Sequence, residues 1–209
     1  MRTRESAEVR KSEIIEAALR LAGKVGPDRL TTAAVALAVG LTQPGVFRHF
    51  PKKQDLWDAV ADHISRRMEA GWAEATRRDG IPMDRLRSLV AAQLRLIQST
   101  PAIPAILFSR ERHAENAALR KVMFGLMSRF HGLVAQSIIE ARDAGELGDD
   151  LDPADAAFLV IGLIQGLALR WSLSGRAFGL VEEGGRLLEL QLRGFMHSPV
   201  KPTKQRRLA

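Results

Sequence analysis

The chain has 209 residues, close to half of them hydrophobic, enough for one large domain or two small ones around a real core. Its formal net charge of +7 raises the weight of a polyanionic partner. The absence of cysteine excludes disulfides, thiolate catalysis and cysteine-ligated zinc.

Taken in order, the elements read as helices, with no alternating strand pattern and no repeat. Ile14, Ala17, Ala18, Leu21 and Val25 recur at helical spacing, and Gly26-Pro27 stops this first helix. Thr31 and Thr32 offer a cap to a short helix over 33–39, which Gly40 ends. Thr42 caps a second short helix with Pro44 in its first turn, running to about His49 before Pro51 breaks it. A longer helix is predicted over 52–77, with Leu56, Val60, Ile64 and Met68 in one stripe. Residues 79–82 read as a turn and as the domain boundary. A helix over 84–99 follows, with Leu86, Leu89, Val90, Leu94 and Ile97 inward. Pro101 and Pro104 then bracket a break before a short helix to about Arg112. A long helix over 116–144 carries Leu119, Met123, Leu126, Phe130 and Val134, and Gly145 caps it. The acids of 149–152 favour the start of a helix over 153–174, apolar nearly all round, and a last helix covers 178–195. From Ser198 the composition turns to proline, lysine and arginine and predicts disorder.

The implied fold is all-α. Residues 1–51 form a helix-turn-helix unit, 52–79 a connecting helix, 80–197 a larger helical body, and 198–209 a basic tail. Charge follows this division. Residues 1–53 hold ten Lys/Arg against five acids, and the last twelve residues add four cations and no acid. The two short helices joined by Gly40-Leu41 have the pattern of a helix-turn-helix. Gln43 near the second helix's start suits adenine, and the glycine at Gly45 allows a close backbone approach. Val46 and Phe50 anchor that helix, while Arg48, His49, Lys52 and Lys53 offer donors to phosphates.

The run Gly40-Leu41-Thr42-Gln43-Pro44-Gly45-Val46-Phe47-Arg48-His49-Phe50-Pro51-Lys52-Lys53-Gln54-Asp55-Leu56 resembles the signature of the TetR family of transcriptional regulators. Leu30, Thr31, Thr32 and Ala36 agree with it, and the resemblance covers roughly residues 9–60. It implies a regulator, most simply a repressor, that binds an operator in double-stranded DNA as a homodimer. By position, Gln43, Pro44 and Gly45 resemble base-contacting residues, with Thr42 capping their helix. Thr31, His49 and Lys53 match phosphate-binding positions. Phe47 stands where the family usually has a tyrosine, which keeps the packing and loses the hydroxyl.

The family also implies a small-molecule inducer in the body. Large or soft side chains point to Met68, Trp72, Leu94, Phe108, Phe124, Met127, His131, Gln165 and Trp171 as its pocket. The expected ligand is largely apolar, with Arg110 or Arg129 to hold an anionic end. Phe158, Ile161, Ile164, Leu187, Leu190 and Phe195 are the expected dimer interface, because a helix apolar on every face needs covering on every face. Its apolar stretch, 156–169, falls short of the roughly 20 residues of a membrane span, and no apolar h-region follows the N-terminus. The expectation is a cytoplasmic protein with no cofactor and no metal. The five histidines, at 49, 63, 113, 131 and 197, are scattered, and no nucleophile elbow or phosphate loop appears, which argues against an enzyme. A helical adaptor that binds only protein is the alternative; it leaves Gln43-Pro44-Gly45 and the basic first third without a purpose.

Overall fold

Helix follows helix because the apolar stripes have a period near 3.6 and many of the ends carry a stop or cap of their own. The computed structural model describes residues 2–77 and 80–196, with side chains from Ser6 onward. Among these there are ten helices and no strand. The predicted tail, His197 and part of the turn at 79–82 lie outside the described residues.

Helix α1 (Arg2–Val25) buries Ile14, Ala17, Ala18 and Ala22 and stops at Gly26. Helix α2 (Thr32–Ala38) is capped by Thr31, whose Oγ1 accepts from Ala34 N at 3.1 Å. Gly40 (φ 67°) then turns the chain, and Leu41 N reaches back to Ala36 O at 2.9 Å. Helix α3 (Gln43–Phe47) is capped in the same way by Thr42 and ends two residues earlier than predicted. Helix α4 (Lys53–Thr76) links this unit to the body, burying Leu56, Val60, Ile64, Met68 and Trp72 along one face.

The body consists of α5 (Pro82–Ser99), α6 (Ala102–Leu107), α7 (Arg110–Glu115), α8 (Ala117–Asp143), α9 (Pro153–Leu173) and α10 (Leu180–Met196). The single short helix predicted after Pro101 is two. Phe108 ends α6, and Ser109 starts α7 by accepting from Arg112 N. Asn116 caps α8 and Asp152 caps α9, each through its side-chain oxygen. Helix α5 packs on α4, α8 and α10, and α9 lies between α8 and α10. At Gly184 the approach of α10 to α5 is so close that a Cβ would sit 2.4 Å from Leu94 Cδ1.

By length and hydropathy α8 and α9 would each pass for a membrane span, which the shorter 156–169 stretch concealed. Both instead pack into the body along one face. What α9 leaves uncovered is a strip of Phe158 (65 % exposed), Leu159, Leu169 and Leu173 (79 % exposed), with the exposed glycines Gly162 and Gly166 between them.

Candidate functional site

The helix-turn-helix unit presents a basic, polar edge on a small apolar core. Val46 and Phe50 are buried beneath α3, which holds the helix against α2. Thr42, Gln43, Pro44, Arg48, Lys52 and Lys53 are exposed, Gly45, Phe47 and His49 half-buried, and Thr31 exposed at the head of α2. Thr31 and Thr42 use only a lone pair in capping, so each hydroxyl hydrogen remains free to donate. Gln43 Nε2 donates to Thr32 Oγ1 at 2.9 Å, which braces the starts of α2 and α3 against each other. Its carbonyl oxygen and second amide hydrogen are left for another partner. A methyl on Gly45 would rest in ordinary contact on Thr42 and Leu41, so packing inside the unit does not require glycine there. Lys52 begins α4, its backbone N–H held by Asp55 at 2.8 Å. The exposed face of α2 carries Ala33, Ala34 and Leu37 and no charge.

Inside the body, α4, α5, α6, α8 and α9 surround a narrow cavity of about 60 Å³. Its wall is apolar apart from Gln93 and Gln165. Trp72 Nε1 donates to Gln93 Oε1 at 2.8 Å, and the Trp72 ring lies 5.1 Å from that of Phe130. Five of the nine residues expected at a pocket line this cavity: Met68, Trp72, Phe108, Met127 and Gln165. The other four do not. Leu94 fills the gap above Gly184 between α5 and α10. Phe124 faces outward on α8. His131 packs tilted against Phe158, ring centroids 4.4 Å apart. Trp171 points away from the cavity, and its Nε1 donates to Phe178 O.

Arg110 and Arg129 are not in the wall either, and Arg129 pairs with Glu69 at 2.8 Å on the surface. Gln93 escaped the sequence reading, yet it is legible as the one polar residue in the inward stripe Leu86, Leu89, Val90, Gln93, Leu94, Ile97. Of the expected interface residues, Phe158 and Leu190 are exposed and Ile161 and Leu187 half-buried. Ile164 and Phe195 are buried within the protomer, and Ile161 and Ile164 line the cavity, because that side of α9 faces α8 and α6.

Helix α1 packs directly on α6, and two further junctions join the helix-turn-helix unit to the cavity wall. Helix α4 is one, with Lys53 at one end and Met68 and Trp72 in the wall. The second runs through α7. Arg112, its side chain 9 % exposed, reaches Asp28 Oδ1 at 3.1 Å in the α1–α2 turn and also pairs with Glu115. Ser109 Oγ donates to the same Asp28 oxygen at 2.7 Å, and the guanidinium lies 5.8 Å over the Trp57 ring of α4. Helix α7 follows directly on α6, whose Ile103 and Pro104 belong to the cavity.

A helix-turn-helix unit locked to a larger all-helical body with an internal cavity defines a class of DNA-binding regulators. Residues 14–60 match the sequence model of bacterial regulatory proteins of the tetR family, and residues 82–188 that of the C-terminal part of BetI-type transcriptional repressors. The chain belongs to the TetR family and is a DNA-binding transcriptional regulator. Among curated relatives, the regulator TtgR of Pseudomonas putida is 28% identical over 177 residues, 82% of this chain and 84% of that one. The regulator AcrR of Shigella flexneri is 23% identical over 205 residues, 95% of this chain and 94% of its own. Among solved structures, Bacillus subtilis FadR in complex with stearoyl-CoA superposes with a TM-score of 0.71 at 17% identity, covering 88% of this chain and 98% of that one.

Proposed function

We propose that the protein is a repressor that grips a palindromic operator as a homodimer and is released by a small, largely apolar ligand. In this reading α3 lies in the major groove. Gln43, Pro44 and Gly45 meet base edges. Thr31, Thr42, Arg48, His49, Lys52 and Lys53 hold phosphates, and Phe47 packs against the backbone. The dimer forms through the strip of α9 and the adjoining exposed side of α10, with Phe158, Leu190 and Leu187 facing their two-fold mates. Gly162 and Gly166 let the partner's helix come close.

The observation that carries this reading is that one helix serves both sites. Met68 is fifteen residues beyond Lys53, about 22 Å along α4 at 1.5 Å per residue. A ligand wedged between Trp72, Gln93 and Gln165 displaces α4 directly and α6–α7 alongside it, and the Asp28–Arg112 contact passes the second displacement to the α1–α2 turn. Both change the separation of the two recognition helices, which successive major grooves require to be fixed. A ligand that prefers the wrong separation by about 3 kcal/mol weakens the operator complex more than a hundredfold. The cavity wall offers amides and no charge, so the ligand is neutral there, with one hydrogen-bonding group for Gln165.

Footprinting of the DNA upstream of the protein's own coding sequence tests the reading. A protected segment with two-fold symmetry is expected, its half-sites about one helical turn or more apart. Protection without symmetry, or none along the whole region, would sink the operator-and-dimer account.

A further inference from the structure

A second recess lies across the α5–α6 connection from the apolar cavity. It runs between the C-terminal half of α1 and the body, lined by Arg20, Lys24, Arg67 and Arg176 together with Glu16 and Thr100. Three elements bring these cations together: α1, α4 and the turn between α9 and α10. Glu16 already faces His63, 3.0 Å from its Nε2. Arg20, Lys24 and Arg67 have no ion-pair partner among the described residues.

The groove has a constructed wall and floor. Arg176 is the sole non-glycine residue with positive φ (68°) among the described residues, a backbone state that costs energy. Its guanidinium lies 5.7 Å over Trp171, and Nη2 donates to the carbonyl of Gly23 in α1. Helices α1 and α6 meet here without a side chain between them, since a Cβ on Gly23 would stand 3.0 Å from Ala102 N. Thr100 is only 7 % exposed, and its hydroxyl has no hydrogen-bond partner among the described residues. A buried hydroxyl left open is costly and wants a water or a ligand.

We propose that this groove is a second effector site, which takes a small phosphate-bearing anion. Guanidinium forks match phosphate oxygens, and four cations here stand against a single carboxylate, Glu16. The bound phosphate would bridge the helix-turn-helix unit, through Arg20 and Lys24, to the body, through Arg67 and Arg176. It therefore favours one relative arrangement of the two and shifts operator affinity accordingly, an effect that rests on the reading above while the binding itself does not. The DNA backbone is not the occupant. Arg67 is fourteen residues beyond Lys53, about 21 Å along α4 from the phosphate contacts at the helix start.

Isothermal titration of the full chain with inorganic phosphate, pyrophosphate and glucose 6-phosphate, at constant ionic strength, tests the site. Arg20→Ala, Arg67→Ala, Thr100→Val and, as a control, Arg66→Ala are compared, with thermal unfolding to verify that each is folded. Arg66→Ala removes the same charge from the neighbouring position without lining the groove. One saturable site per chain is expected, weakened at least about tenfold by Arg20→Ala or Arg67→Ala and less than about twofold by Arg66→Ala. Thr100→Val, which keeps shape and loses the hydroxyl, weakens it as well. Equal affinity for phosphate and its sugar ester would mean that the phosphate group alone is read, and preference for the ester would make the effector a phosphorylated metabolite; either supports the site. Lack of saturation, equal losses in all four variants, or full displacement by random duplex DNA would overturn it.

Discussion

Replacing Asp28 with alanine removes the acid that faces Arg112 across the junction between the helix-turn-helix unit and the body. Breaking a fully buried pair costs about 3–5 kcal/mol, because a charge is left without a partner. Two features lower that figure here. Asp28 is about a third exposed, and Glu115, more exposed still, remains on the other side of the guanidinium. Water screens part of the contact, which leaves about 1–2 kcal/mol. In a chain of this size each kcal/mol moves Tm by about 2–4 °C, so Asp28→Ala should melt about 2–8 °C lower. Arg112→Met keeps the apolar stem over Trp57 and removes the charge. A double-mutant cycle between the two, followed by thermal and denaturant unfolding, should give a coupling energy of about 1 kcal/mol or more. Additivity within about 0.5 kcal/mol would show that the two residues touch without mattering to each other. The same cycle repeated on operator release by a neutral apolar ligand asks whether the contact transmits. Asp28→Ala should shrink the ratio of ligand-free to ligand-bound affinity, and an unchanged ratio would leave α4 and the packing of α1 on α6 as the route.

The division of labour on DNA predicts that Lys53→Ala weakens all sequences alike and lowers the salt slope by about one unit, whereas Gln43→Ala costs about 1–3 kcal/mol on the operator and little on random duplex; salt-dependent anisotropy titrations separate the two. Phe158→Glu and Leu190→Glu each place a charge on the exposed strip and should yield monomer by light scattering, while an intact dimer in both would refute the interface. Gln93→Leu removes the acceptor of Trp72 Nε1 and the main polar feature beside Gln165, so it should change the affinity for Nile red, a neutral apolar probe, while operator affinity without ligand stays within about twofold. His63, between α1 and α4, has its protonation held below the ordinary value of 6.5, chiefly by burial; Glu16 pulls it upward, and Arg67 and Arg66 push it down. The unfolded chain therefore takes up that proton first. The stability present above pH 6.5 is lost as pH falls through the folded-state value, and His63→Gln should flatten this slope in Tm measured against pH.

The helix-turn-helix was legible because its signals are local. Thr31, Thr42 and Gly40 are caps and a turn whose chemistry needs no distant partner. The cavity was half legible. Large soft side chains at helical spacing show that a residue faces inward, but not which of two inward spaces it faces. Leu94 and Trp171 face inward and away from the cavity, and only the packing of α10 on α5 and the turn at Phe178 decides that. Helix α9 shows the same limit from the other side. Its all-round hydrophobicity announced two apolar neighbours, yet whether Ile164 meets the cavity or a second chain depends on the rotation of the helix, which α8 and α6 set. The Asp28–Arg112 and Arg176–Gly23 contacts join residues far apart in sequence, and no local pattern marks such pairs.

Operator specificity bears most directly on the central claim, that this chain reads DNA with α3 and does so as a pair. Fluorescence anisotropy of the footprinted upstream duplex, compared with a scrambled duplex of equal length and salt, measures it. Two chains per duplex are expected, with a specific complex at least about a thousandfold tighter than the scrambled one. Equal affinity for the two duplexes, or one chain per duplex at saturation, would contradict it.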